Sequence, residues 1–487
     1  MQKLTRNQKR WFDKLTPVNR SVTSDTYKRV MSNSSMMFAM NHACYSLAAR
    51  RSQNTDGADG RFIMAGIEQM LYPWMMTPIS DDEIDEAKEH CLKKSAVKAF
   101  PTEMWNLVKD NDNRLPLDVW GLPGGQTFLA KDGKYVPMMS VEGVGGIVSH
   151  LEPHLETIYA PITFATNARL MREAAGPLTA EFGLRSDISM NTHIALMLAL
   201  YVGGGIVFTS DDQAEMIFPE LFKAIGTVGH EFIMAYQREG ISLEEAQWEA
   251  FRAFVKANDS SSLLPDVIDT IKSGLPMIMK LREEFEPQGK IVRPRFDSGN
   301  IPEQNVFWKE MCNLARSENR ISKQDTFVDE DGYDPIKSRE TKDAYRNAGY
   351  DPNEIIIGAG EGFRRFLSRG GASVVFKRAA TFADGKLHPQ IKRSNTEGKG
   401  SLPGAMRIWE RGETLIVAQA EEYIKHAIMI SQQLVKNGTV IYNEPFHEQY
   451  QRGNQTWDKY CNIEYSPLTQ QIIAERYKEA DKILKRL

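Results

Sequence analysis

Arg295, Asp297, Ser298 and Gly299 close the stretch Ile291 to Asn300, which reads I-V-R-P-R-F-D-S-G-N. An apolar start followed by charge and glycine predicts a buried strand running into a polar turn. In a barrel or an open α/β sheet, chemistry is placed at the C-terminal ends of strands. Arg295 is suited to hold an anion through its planar fork of donors. Asp297 is suited to orient a ribose hydroxyl or a metal-bound water. Ser298 and Gly299 let backbone come close to a ligand. The same residues also suit a plain strand, a salt bridge and a turn.

Other strand ends carry comparable clusters: 209–212, 226–231, 266–269, 358–362 and 370–371. Six such clusters in one β/α alternation point to a single barrel-mouth site, rich in Arg, Asp and glycine turns. That composition suits a phosphorylated, ribose-containing substrate. His230 stands out because Gly226 and Gly229 free the backbone around it, although a structural histidine capping a helix has the same surroundings. No G-x-S-x-G elbow marks a hydrolase. His230-Glu231 is followed by Phe232 and Ile233, with Met234 where a zinc site needs its second histidine. Gly358-Ala359-Gly360-Glu361-Gly362 fails the G-x-G-x-x-G spacing, yet glycines after a strand can cradle phosphate through N–H groups. Asp329-Glu330-Asp331-Gly332 lacks the full calcium-loop pattern and reads as a solvated loop.

These clusters need a frame. The 487 residues allow two or three domains, with 25% charged and 41% hydrophobic residues. A net charge of -4 gives no basic field for nucleic acid or membrane. None of the four cysteines forms a C-x-x-C pair, and no apolar run approaches the roughly 20 residues that span a bilayer. With no apolar signal core at the N-terminus, a reducing, cytoplasmic setting is expected. Residues 1–20 read as a surface arm. Ser24 or Asp25 caps a helix whose first turn holds Tyr27, either a packed surface aromatic or a ring that stacks on a flat ligand. Residues 116–143 read as hairpins, and 151–174 as a helix interrupted at Pro161. From about 155 to 380, strands and helices alternate as in a parallel β/α architecture. Residues 302–319 and 337–349 read as helices, 323–335 as an acidic loop, and 392–411 as a basic segment. The tail predicts a helix over 418–433 and a final charged helix from Thr469.

Several of these pieces, in this order, resemble the nicotinate phosphoribosyltransferase family. They are Ser24-Asp25-Thr26-Tyr27-Lys28, Asp118-Val119-Trp120 with Pro123, Val141-Glu142-Gly143, Phe182-Gly183-x-Arg185, Gly226-Thr227-x-x-His230, Arg295-x-Asp297-Ser298-Gly299, Lys392-x-Ser394, Lys399 and Leu402-Pro403-Gly404. They run from about residue 21 to residue 411. The resemblance implies an α/β fold: an irregular β/α barrel over 151–411, with an α/β N-terminal domain over 1–150 completed by C-terminal helices from 412–487. It implies a homodimer with a shared active site. The implied reaction joins a pyridine base to phosphoribosyl pyrophosphate for NAD synthesis, with Mg2+ neutralising the leaving group and ATP as an energy-coupling co-substrate. No direct protein ligation of the metal is expected. The implied roles are stacking of the base between Phe182 and Tyr27 of the partner subunit, and contacts from Arg185 and Arg295 to anionic groups. Asp297 holds the ribose or a magnesium-linked water, and His230 takes phosphate from ATP. Gly358, Gly360, Gly370 and Gly371 bind the 5′-phosphate, and Lys392, Ser394 and Lys399 lie near pyrophosphate or ATP. Ser210 in the base pocket implies nicotinate. A one-residue slip would put Asp211 there and imply nicotinamide. Ala405 and Met406 depart from the family's basic residues after Pro403-Gly404, and 301–335 reads as an insertion.

Overall fold

The computed structural model describes residues 4–51, 59–187, 189–392 and 400–484. Its contacts divide the chain into two units. One comprises residues 167–190 and 205–365, and the other residues 1–166, 191–204 and 366–487.

The first unit is built on seven strands: β1 (Thr179–Glu181), β2 (Phe208–Thr209), β3 (Lys223–Ala224), β4 (Ser260–Leu263), β5 (Ile291–Phe296), β6 (Phe327–Asp329) and β7 (Ile355–Ala359). They are ordered β4-β5-β6-β7-β1-β2-β3. Every neighbouring pair is parallel, so the sheet forms a half-barrel. Parallel neighbours need long crossovers. Helices Leu243–Ala257, Leu275–Phe285, Ile301–Ser317 and Pro335–Asn347 provide four of them. Their starts are set locally. The Ser242 hydroxyl accepts from the Glu245 N–H, and Asp334 accepts from the Lys337 N–H just ahead of Pro335. Along β5, Val292, Pro294 and Phe296 are buried while Arg293 and Arg295 share the opposite face.

Beneath the helices, Trp308 is fully buried, and Phe327 meets Tyr345 edge-on with ring centroids 5.6 Å apart. The same region holds a buried charge network. Arg282 donates to Glu286 at 2.9 Å, to Asp325 at 2.8 Å and to the Lys323 carbonyl at 2.9 Å. Asp325 also accepts from Lys309 and Arg316, each at 2.8 Å. Burial alone would raise the Asp325 pKa, but Lys309, Arg316 and Arg282 outweigh it and hold the carboxyl at about 2.

The segment 301–335 is no insertion. Its helix and its strand β6 lie between β5 and β7, and the presumed solvated loop carries a fully buried Asp329. Only three residues of β6 pair, so the acids around it mask the strand in the sequence. The break in 151–174 falls at Thr157 and Ile158. Pro161 sits in the first turn of helix Tyr159–Ala175, where a missing N–H costs little.

The second unit contains a seven-stranded antiparallel sheet with His42–Ala49 near its centre, paired to Val374–Ala383 and Pro137–Val144. The hairpins expected over 116–143 are present. The N-terminal arm is a helix, Arg6–Leu15, closed by a capping box between Thr5 and Gln8. Trp11 and Phe12 anchor it in the core. The expected helix over 418–433 is absent. Thr414–Gln419 and Gln432–Lys436 are strands of two different sheets, because the run of β-branched and apolar residues finds partners at Met406–Arg411 and Leu117–Gly121. The motif residues Trp120 and Glu142 serve packing here: Arg407 lies 4.2 Å from the Trp120 ring centroid and 3.0 Å from the Glu142 carboxylate. Among the described residues no helix is long and apolar enough to cross a membrane.

Candidate active site

The C-terminal ends of the parallel strands converge on one bowl of about 590 Å3. Phe182 and Arg185 follow β1, Ser210 and Asp212 follow β2, Thr227 follows β3, Arg295 lies near the end of β5 and Glu330 follows β6. The loop after β1 is pinned by Arg364. This buried guanidinium donates to the carbonyls of Gly360 at 2.5 Å and Gly183 at 2.8 Å, and to Asp187 at 2.9 Å. The loop bearing Phe182 and Arg185 is therefore preorganised by charge-assisted bonds.

Arg295 is the hub. It donates to the Thr227 hydroxyl at 2.5 Å and pairs with Glu330 at 2.6 Å and Asp297 at 3.3 Å. Burial raises the Glu330 pKa, Arg295 opposes, Asp297 adds and Arg185 offsets, leaving the carboxyl at about 7. Beside this hub, His230 Nε2 lies 3.0 Å from Asp266 Oδ1, and the Ser298 hydroxyl donates to Asp266 Oδ2 at 2.7 Å. Ligand atoms of His230, Asp266 and Asp297 lie within 4.8 Å of one another. Oxygen-rich donors of this kind fit magnesium held through water.

Ser210 lines the bowl. Asp211 instead caps the helix Asp212–Ile217, accepting from the Gln213 N–H at 2.9 Å. Gly358 lies inside β7. A Cβ there would stand 2.6 Å from the Phe182 ring and 2.6 Å from Glu330 Cγ. Its lack of a side chain makes room for the aromatic wall. Gly358→Ala will therefore displace Phe182 and overpack the strand, at a cost of about 1–3 kcal/mol; thermal unfolding checks this.

The other named residues lie in the second unit. Tyr27 is in the first turn of helix Thr26–Ser34 and half exposed. Its N-terminal neighbour Asp25 occupies the cap position without a side-chain bond there, and Ser24 donates instead to the His150 carbonyl at 2.7 Å. Gly370 is exposed, and the Gly371 N–H donates to the Ser368 hydroxyl at 2.8 Å. Lys392 shares a basic cavity of about 710 Å3 with Lys377, Arg378 and Arg476. Ser394 and Lys399 lie outside the described residues.

Glu330, Arg364 and Thr227 escaped the sequence reading as site residues. A signal for Glu330 was present: Phe327-Val328 before Asp329-Glu330 repeats the apolar-then-acidic pattern of Val207-Phe208 before Asp211-Asp212.

The parallel half-barrel places an arginine-centred, aromatic-walled bowl at its strand ends, where barrels of this kind carry their ligand sites. No protein-family model matches the chain. Over 288 residues the chain is 23% identical to the nicotinate phosphoribosyltransferase of Bacillus subtilis. That alignment covers 58% of this chain and 54% of that one, so about half the length of the curated relative is matched. The fold is similar to that of human nicotinic acid phosphoribosyltransferase, with a TM-score of 0.71 at 17% identity, covering 93% of this chain and 99% of the other. It is also similar to nicotinate-nucleotide pyrophosphorylase from Pyrococcus furiosus, with a TM-score of 0.61 at 14% identity, covering 93% and 97%. The chain has the fold of these proteins, and its sequence and structure both support the resemblance to nicotinate phosphoribosyltransferases.

Proposed function

We propose that this protein is a nicotinate phosphoribosyltransferase of NAD salvage, joining nicotinate to phosphoribosyl pyrophosphate to give nicotinate mononucleotide and pyrophosphate. The observation that carries the reading is the meeting of Phe182, Arg185, Ser210 and Arg295 in one bowl at the strand ends. The base nitrogen forms a bond to the ribose carbon as the bond to pyrophosphate breaks. Charge develops at the ribose, so catalysis rests on positioning and electrostatics. Phe182 gives the pyridine ring a flat wall, and Arg295 and Arg185 hold anionic groups. Asp297 orients the ribose. Magnesium, when bound, neutralises the pyrophosphate, and Asp266 and Asp297 hold its waters. Gly360, in the turn after β7, serves the 5′-phosphate, whereas Gly358 lies inside the strand beneath Phe182 and is not available to it. The protein acts as a homodimer in which Tyr27 of the partner subunit covers the base.

Asp266 holds Nε2 of His230, which leaves Nδ1 as the ring nitrogen for phosphate from ATP. His230→Ala will abolish ATP stimulation while retaining a basal rate; initial rates with and without ATP test this, and undiminished stimulation would remove His230 from the account.

Ser210 in the bowl, with Asp211 used as a helix cap, favours a carboxylate base. Asp212 also lines the bowl and supports the second reading, since its carboxylate suits the amide of nicotinamide. Pyrophosphate release with either base decides between them, and no turnover with either base would overturn the assignment.

Glu330 competes with any anionic ligand for Arg295. Its carboxyl is raised to about 7, so it is neutral below that pH and ionised above it. Nicotinate binding will therefore weaken by about fivefold between pH 7 and 8, and Glu330→Gln will bind tightly with a flat profile. Titration calorimetry across pH 6–8 reads this directly.

A further inference from the structure

Behind the bowl lies a smaller cavity of about 260 Å3. The two share a wall made by Phe182, Ile225 and Thr227 among others. Its floor carries Arg293, two residues before Arg295 on the same face of β5 and so about 6–7 Å deeper in the half-barrel.

The two arginines are treated differently. Arg295 meets two carboxylates. Arg293 meets hydroxyls: Nε donates to Ser262 at 3.0 Å and Nη1 to Thr326 at 3.2 Å. Among the described residues no carboxylate pairs with it. Burial lowers its pKa, but a guanidinium stays charged in proteins. A half-buried cation without counter-charge is costly. Ser262 stands beside Arg293 in the β4–β5 register, so this donor and hydroxyl are held by strands, and Thr326 sits immediately before β6. A cavity adjoining an uncompensated, oriented guanidinium is complementary to a small anion.

We propose that this inner cavity is a second ligand site, which takes a compact monocarboxylate on Arg293 with Ser262 and Thr326 around it. The site stands apart from the proposed reaction, because none of these three residues lines the bowl.

The test uses the full chain, with benzoate and nicotinate as probes in titration calorimetry and thermal unfolding. The wild type will bind benzoate and gain melting temperature. Arg293→Met will lose that uptake, and Arg293→Lys, which keeps the charge without the fork, will bind at least tenfold more weakly. Arg295→Met will keep the inner site. Uptake lost in Arg295→Met but retained in Arg293→Met belongs to the bowl and overturns the proposal. So does a cavity that holds only water, with no carboxylate bound in either variant or in the wild type beyond the bowl. Failure of nicotinate turnover with Arg293-dependent benzoate binding intact would sink the reaction and leave this site standing.

Discussion

Arg295→Ala will lower kcat/Km by about 100- to 1000-fold, the scale seen when one preorganised charge donor is removed from an active site. Two effects add. Under the proposed reaction, the bowl loses the guanidinium assigned to an anionic substrate. It also leaves Glu330 and Asp297, which pair with Arg295 at 2.6 and 3.3 Å, facing each other without their shared cation. Glu330 will then titrate above its present value of about 7, because the opposing pull of Arg295 is gone. Steady-state rates over pH 6–9 test the prediction. A loss of less than tenfold with an unchanged pH profile would show that Arg295 is structural.

The second large effect is on stability. Arg282→Met will cost about 3–5 kcal/mol, the range for breaking a buried ion pair by removing one partner. Arg282 and Asp325 have side chains 4% and 0% exposed, so solvent cannot replace the lost bonds. Methionine fills similar volume, which separates charge from cavity. Thermal or urea unfolding reads the change. The sign with pH follows from Asp325, whose folded pKa of about 2 lies below its ordinary 3.8. Its contribution is complete above pH 4 and is lost as pH falls toward 2. The gap between wild type and Asp325→Asn will close over that window, and a constant gap would exclude Asp325 as the titrating group.

Much of this was legible in the sequence. β5 was readable because its apolar start, Ile291-Val292, runs into charge and glycine at Arg295 to Gly299, and two crossover helices of the sheet carry ordinary caps at Ser242 and Asp334. Ser210 and Arg295 were nameable because each follows or ends a strand, and Phe182 and Arg185 through the family motif Phe182-Gly183-x-Arg185 alone. Glu330 was missed because β6 is three residues long and its flanking acids read as solvent-exposed. Arg364 was missed because, apart from the Gly360 carbonyl, its partners are a backbone carbonyl and acids 177–183 residues away, which no local pattern encodes. The N-terminal helix was missed because its polar face dominates the composition while only Gln8, Trp11 and Phe12 turn inward. The tail was misread because its apolar and β-branched run was taken as a helix, although Thr414–Gln419 forms a hairpin with Met406–Arg411 and Gln432–Lys436 pairs with the distant Leu117–Gly121.

The pairing of His42–Ala49 with Val374–Ala383 sets a clock on biosynthesis. Until residue 383 has emerged, one whole edge of an apolar strand has no mate. At about 5–20 residues per second, the wait is on the order of 15–70 s. For that interval the nascent chain carries an open template for β-aggregation. Slowing translation of the later two thirds of the message should raise chaperone dependence and lower yield, with no change in the finished molecule.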